Sequence, residues 1–167
     1  QFFKQFTIVS LVYTAPFIAP LSYAGLGFLL LLNRMESINT RAWGNWILIL
    51  ASGGVLGNFV LALADHAQNG FFHPTEWIPV ITSAIMLGFL ISNLLHNPAR
   101  SFISLTGFIV LIQAATGILG FAYHALANLD GPSNSLWDNT VYGAPIFAPL
   151  LLTNLSLLIG LGLWKQY

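Results

Sequence analysis

The chain has 167 residues, 56% of them hydrophobic and 6% charged, and its five Lys/Arg and five Asp/Glu give a net charge of zero. A soluble domain carries about a quarter charged residues, so soluble packing is excluded, and without a basic surface nucleic acid is not expected as a partner. With no cysteine, disulfides, iron–sulfur clusters and thiolate chemistry are excluded as well.

The first residue is Gln1 rather than Met, which points to a processed or partial product. The segment Phe2–Thr14 is apolar enough to lie along a membrane interface or to extend a tilted first span. Five longer apolar runs follow, near 15–32, 43–64, 78–95, 102–128 and 144–163. Crossing the hydrocarbon takes about 20 mostly apolar residues in a helix. Continuous rather than alternating apolarity argues against barrel strands. The expectation is an all-α integral membrane protein with five transmembrane helices, forming one domain over residues 1–167.

Lys and Arg concentrate on the cytoplasmic side of membrane proteins. Arg34 and Arg41 flank the first connection, Arg100 the third, and Lys165 follows the fifth run, whereas the second and fourth connections contain neither residue type. This predicts the N-terminus outside and the C-terminus inside, in a bacterial-type inner (cytoplasmic) membrane. Asp65, Glu76, Asp130 and Asp138 then lie outside, with only Lys4 against the rule. Trp43, Trp46 and Trp164 fall at one predicted interface and Trp77 and Trp137 at the other, as aromatic belts do. Exposed aromatics of the outer loops, Phe71, Phe72 and Trp137, are read as interface anchors.

Ala15-Pro16-Phe17-Ile18-Ala19-Pro20-Leu21 returns as Ala144-Pro145-Ile146-Phe147-Ala148-Pro149-Leu150, each copy opening an apolar run. Gly44–Asp65 also aligns without gaps to Gly107–Asn128, with ten identities in 22 positions. Both observations predict internal parallel two-helix repeats, the first span being the second half of a unit whose other half is missing. The prolines read as helix starts, where a missing N–H costs little. Gly53-xxx-Gly57 and Thr116-xxx-Gly120 are small-residue faces, which predicts that the second and fourth spans form the inner pair.

His66, His73 and His124 are placed on the outer side, whereas His96 reads as a helix-end residue. His66 and His124 end two spans of the same direction and so share a depth. They are candidate ligands for haem or another tetrapyrrole. With His73, Asp65 and Glu76 they are alternatively candidate ligands for a divalent metal, since imidazole and carboxylate suit Zn, Fe, Mn or Cu. Against an inherited site, Leu61 aligns with His124 and Leu129 with His66. Gln113, Asn58, Asn93, Asn154, Ser83 and Thr153 are neutral groups expected to bond between helices.

Three functions follow from this reading. The first is a small accessory or anchoring subunit of a larger membrane complex, respiratory or photosynthetic, with lipid and other membrane subunits as partners and no catalysis of its own. The second is a haem- or metal-binding redox subunit using the outer histidines. The third, a channel or carrier for a small neutral solute, requires a polar path past Asn58, Gln113 and Asn154.

Overall fold

Inside a bilayer no water can bond the backbone, so an apolar run must satisfy its own N–H and C=O groups, and an α-helix does this within one segment. The computed structural model describes residues 18–68, 70–96 and 98–166, with side chains from Ser22 onward. Its helices are α1 (Ile18–Met35), α2 (Arg41–Gln68), α3 (Trp77–Leu95), α4 (Arg100–Leu129), α5 (Leu136–Tyr142) and α6 (Leu150–Trp164), with a 3₁₀ turn at Pro74–Glu76. Three segments, Arg41–Gln68, Pro74–Leu95 and Arg100–Leu129, are long and apolar enough to cross a membrane, and Leu150–Trp164 is apolar but shorter. The protein is therefore an all-α membrane-type helical bundle. The segments Phe2–Thr14 and Ala15–Phe17, including the start of the first Pro heptapeptide, lie outside the described residues.

Four helices form a ring in which α2 packs on α3 and α6, α4 packs on the same two helices, and α1 joins from outside through α2. The predicted inner pair is thereby corrected. The second and fourth spans, α2 and α4, stand on opposite corners, each held mainly by α3 and α6. The glycines explain why. A Cβ on Gly53 or Gly57 would meet nothing within 4 Å, so that small face is open rather than packed. The face in use is offset by one residue: a Cβ on Gly54 would lie 2.5 Å from Leu155 Cδ2. On α4, a Cβ at Gly117 would run into the Thr153 hydroxyl and lie 2.7 Å from Pro149 O, and one at Gly120 would lie 2.8 Å from Pro149 Cβ. Near the other end, Gly44 faces Gly162 O at 2.9 Å and Gly162 faces Gly44 O at 3.1 Å, measured from the added Cβ. Without a hydrophobic driving force between helices in lipid, close approach at small residues supplies the packing energy, and α6 takes that approach on both sides.

The shared core is apolar, with Leu48, Val55, Met86, Leu90 and Ile159 buried and packed together. Two amides tie α3 to α4. Asn93 Nδ2 donates to Thr106 Oγ1 at 2.8 Å, and Gln113 Nε2 donates to Ser83 Oγ at 3.1 Å. Thr153 Oγ1 donates to Ala114 O at 3.0 Å, tying α6 to α4. Such bonds contribute on the order of 1 kcal/mol each. Asn154, in contrast, is exposed and Asn58 is half-buried. Gln113 is buried, so the three amides sit in three different degrees of exposure.

Every neighbouring pair is antiparallel, because Asn33 meets Trp43, Gly44 meets Gly162, Asn93 meets Thr106 and Gly120 meets Pro149. The ends bearing Arg34, Arg41, Arg100 and Lys165 consequently coincide, and Asp65, Glu76, Asp130 and Asp138 share the opposite end. At the basic end Thr40 caps α2, its Oγ1 accepting from Trp43 N at 3.1 Å and donating to Glu36 Oε1 at 2.6 Å. Trp43 is buried, its indole N–H donating to Asn33 Oδ1 at 2.8 Å, so it fastens α1 to α2 instead of facing the interface.

Candidate functional site

Three of the four histidines, His66, His73 and His124, lie at the acidic end, on two corners of the ring, whereas His96 follows α3 at the opposite end. At the first corner α2 ends in a Schellman motif: Gly70 N donates to Ala67 O at 3.1 Å and Phe71 N to His66 O at 3.0 Å. This motif needs a left-handed residue after the helix, and Gly70 has φ +70°. Phe71 continues left-handed at φ +51°, rare for a bulky residue. The reward is a ring stack, with Phe71 and Trp77 centroids 3.9 Å apart and 10° from parallel. Phe71 is thus half-buried in this stack, while Phe72 is exposed.

Beside this stack, His66 Nδ1 lies 3.5 Å from Glu76 Oε2, and both side chains are more than four-fifths buried. Glu76 Oε1 accepts from the His73 backbone N–H at 3.3 Å, holding the 3₁₀ turn that leads into α3. The structure therefore brings His66 and Glu76 together and adds His73 through its main chain only. The His73 side chain is exposed, and Asp65 is half-buried one residue before His66.

The second corner joins α4, α5 and α6. Asn128 is buried and clasps a single residue twice: its Nδ2 donates to Ala144 O at 2.7 Å, and its Oδ1 accepts from Ala144 N at 2.9 Å. Asn139, also buried, does the same for Ser133, accepting from its N at 3.0 Å and donating to its O at 2.9 Å. Glycine is required at both clasps, since a Cβ on Gly131 would strike the Asn139 amide and one on Gly143 would strike Asn128 Oδ1. Ser135 caps α5, its Oγ accepting from Asp138 N at 3.3 Å.

His124 reaches this corner from α4, its Nδ1 lying 3.0 Å from Pro145 O. A carbonyl only accepts, so Nδ1 is the donor, and in the neutral ring Nε2 carries the lone pair. The sequence explains the open carbonyl. In a helix Pro145 O would receive the N–H of residue 149, but Pro149 has none. The backbone instead makes a tight turn, with Ala148 N on Pro145 O at 3.1 Å and Leu152 N on Pro149 O at 3.0 Å, and α6 begins only at Leu150. The predicted span near 144–163 is shortened accordingly.

His66 and His124 belong to different corners, on helices diagonal in the ring. Among the described residues, no three His, Asp or Glu side chains group closely enough to hold a metal ion. The two asparagine clasps were not singled out from the sequence. Their one legible signal was the Gly-Pro-Ser-Asn-Ser turn between two helices, since which backbone an amide clasps depends on the tertiary approach of α6. Comparison with protein-family models, with characterised proteins and with solved structures gave no match.

Proposed function

We propose that the chain is a small polytopic accessory or anchoring subunit of a larger membrane protein complex, respiratory or photosynthetic in kind. It crosses a bacterial-type inner membrane five times, with the basic end cytoplasmic and the histidine end outside. The observation that carries this reading is the uncovered surface at the α1–α2 edge. Among the described residues α1 packs chiefly on α2, leaving Leu26, Phe28, Leu30 and Leu31 exposed, and Gly53 and Gly57 present an open small-residue face. Small faces of this kind are where membrane helices associate. The 22-residue alignment at an offset of 63 and the alternation of α2 and α4 with α3 and α6 around the ring further support parallel two-helix repeats, with α1 the remnant of an earlier unit.

Native purification in mild detergent tests the reading: companion chains are expected, and Gly53→Leu with Gly57→Leu should release them while the ring's own thermal unfolding stays unchanged. A stable monomer without companions would overturn it.

A second reading, a haem or divalent metal bound through His124, draws on one observation. Ligating histidines usually donate their other ring N–H to a carbonyl or carboxylate, and His124 does so to Pro145 O. Absorption spectra and metal content of the purified protein decide it. A band or stoichiometric metal lost in His124→Ala supports a cofactor, and a colourless, metal-free preparation removes it.

A further inference from the structure

α5 is too short to cross anything, since seven residues of helix span roughly 10 Å. Its buried residue is Asn139, pinned to the Ser133 backbone, and this fixes which way the helix faces. At about 100° per residue, Leu136, Trp137 and Val141 fall on one arc, with Asp138 beyond its edge and Asn139 turned inward. Leu136, Trp137 and Val141 are all at least half exposed, Trp137 at 75%. An apolar arc of that size facing water would be costly.

Beside α5 the proline turn makes an open cleft of about 310 Å³ lined by Thr140, Val141, Gly143, Pro145, Ile146, Phe147 and Ala148. The one polar side chain there, Thr140, already donates its hydroxyl to Leu136 O at 2.8 Å. The lining thus asks for an apolar guest. Phe147 forms one wall, 75% exposed, with its ring 6.5 Å from Phe121 of α4. α4 itself is apolar enough to span a membrane, and its last turns leave Tyr123, Leu126 and Leu129 exposed.

We propose that α5 and the proline turn form a lipid-binding shelf. α5 lies in the plane of the headgroup boundary, Leu136, Trp137 and Val141 rest on acyl chains, Asp138 points toward water, and one phospholipid acyl chain enters the cleft between Val141 and Phe147. α5 follows directly on a helix apolar enough to span a membrane, which selects lipid over a protein partner, and an indole beside the end of such a helix is the anchor that membrane interfaces favour. The shelf is independent of the open α1–α2 edge.

The absence of native cysteine allows a direct test. The full chain carrying Trp137→Cys, Val141→Cys or Asp138→Cys, each spin-labelled and reconstituted in phosphatidylcholine vesicles, is compared for collision with oxygen and with a water-soluble nickel chelate. The oxygen-to-nickel ratio should be several-fold higher at positions 137 and 141 than at 138. A second readout leaves the tryptophans in place: quenching by acyl-brominated phosphatidylcholine should fall measurably in Trp137→Phe, and a fluorophore at position 141 should be quenched by the same lipid. Nickel access at 137 and 141 equal to that at 138 would overturn the shelf. Shielding of both positions from both reagents, the mark of a protein partner or a second copy, would overturn it too.

Discussion

The two corners of the histidine end carry the same task, turning the chain between antiparallel helices, and accomplish it with different chemistry. The corner after α2 relies on backbone conformation: left-handed Gly70 and Phe71, a 3₁₀ turn, and a ring stack beside the His66–Glu76 pair. The corner after α4 relies on side chains that imitate backbone, with Asn128 and Asn139 each pairing with both the N–H and the C=O of one residue. The 63-residue offset places Asp65 opposite Asn128. That single difference matters, because an ionised carboxylate only accepts whereas an amide donates and accepts. Asn128 can therefore seat Ala144 and the proline turn on α4, and Asp65 could not do so by the same means.

The sharpest way to break this comparison is at the aligned glycines. Gly117→Ala would press a methyl onto the Pro149 carbonyl and Thr153 backbone, neither of which is the tip of a flexible side chain. A loss of about 3 kcal/mol is expected in thermal or denaturant unfolding in detergent. Gly57→Ala, aligned with Gly120, fills open space and should be neutral or stabilising by up to about 1 kcal/mol through helix propensity. Gly120→Ala would press a methyl onto the Pro149 ring, and a cost there equal to that at its aligned partner Gly57 would mean that the two hairpins pack alike.

Next in size is the clasp. Asn128→Ala leaves the Ala144 N–H and C=O without their partner in a buried setting, with an expected loss of about 2–3 kcal/mol. Asn128→Asp should retain the bond from Ala144 N and lose the one to Ala144 O. Asp65→Ala should cost less than about 1 kcal/mol, and a larger loss there would show that the first corner has a clasp of its own.

His124→Ala removes one hydrogen bond to a carbonyl that also receives Ala148 N, so a loss of about 1 kcal/mol is expected. His124→Gln, which offers a donor of similar reach, should restore part of it. The smallest effect belongs to Glu76→Gln, which weakens the pair with His66 but keeps an acceptor for His73 N. About 0.5 kcal/mol is expected, together with faster hydrogen exchange in residues 70–76. Exchange unchanged in that segment would mean that the Schellman turn and ring stack hold the corner without the carboxylate.

Much of the fold was legible along the chain. The apolar runs near 43–64, 78–95 and 102–128 sit inside α2, α3 and α4, which extend them by up to four residues at their ends. The prolines of the second heptapeptide do mark a helix start, though Pro149 delays it to Leu150 by withholding the N–H that Pro145 O would need. Two things were not legible. α5 carries no helical signal in the sequence, because its seven residues are held by a Ser135 cap and the Asn139 clasp rather than by periodicity. The glycine face was misplaced by one residue, since Gly53 and Gly54 are adjacent and composition cannot say which side a neighbour takes.

Span length and charge placement are properties of consecutive residues, so the sequence by itself determined a helical membrane protein and the sorting of its basic and acidic ends. Which helices touch depends on three-dimensional approach. Several small-residue faces were on offer, and only packing decided that α6 would enter those at Gly54 and at Gly117 and Gly120, leaving Gly53 and Gly57 open. The same approach brought Ala144 and Pro145 within reach of Asn128 and His124, residues 16 and 21 positions apart from their partners. Tertiary structure thus turned a histidine and an asparagine on one helix into the fastening of the next, because a carbonyl stripped of its helical donor by proline takes whatever donor the fold sets beside it.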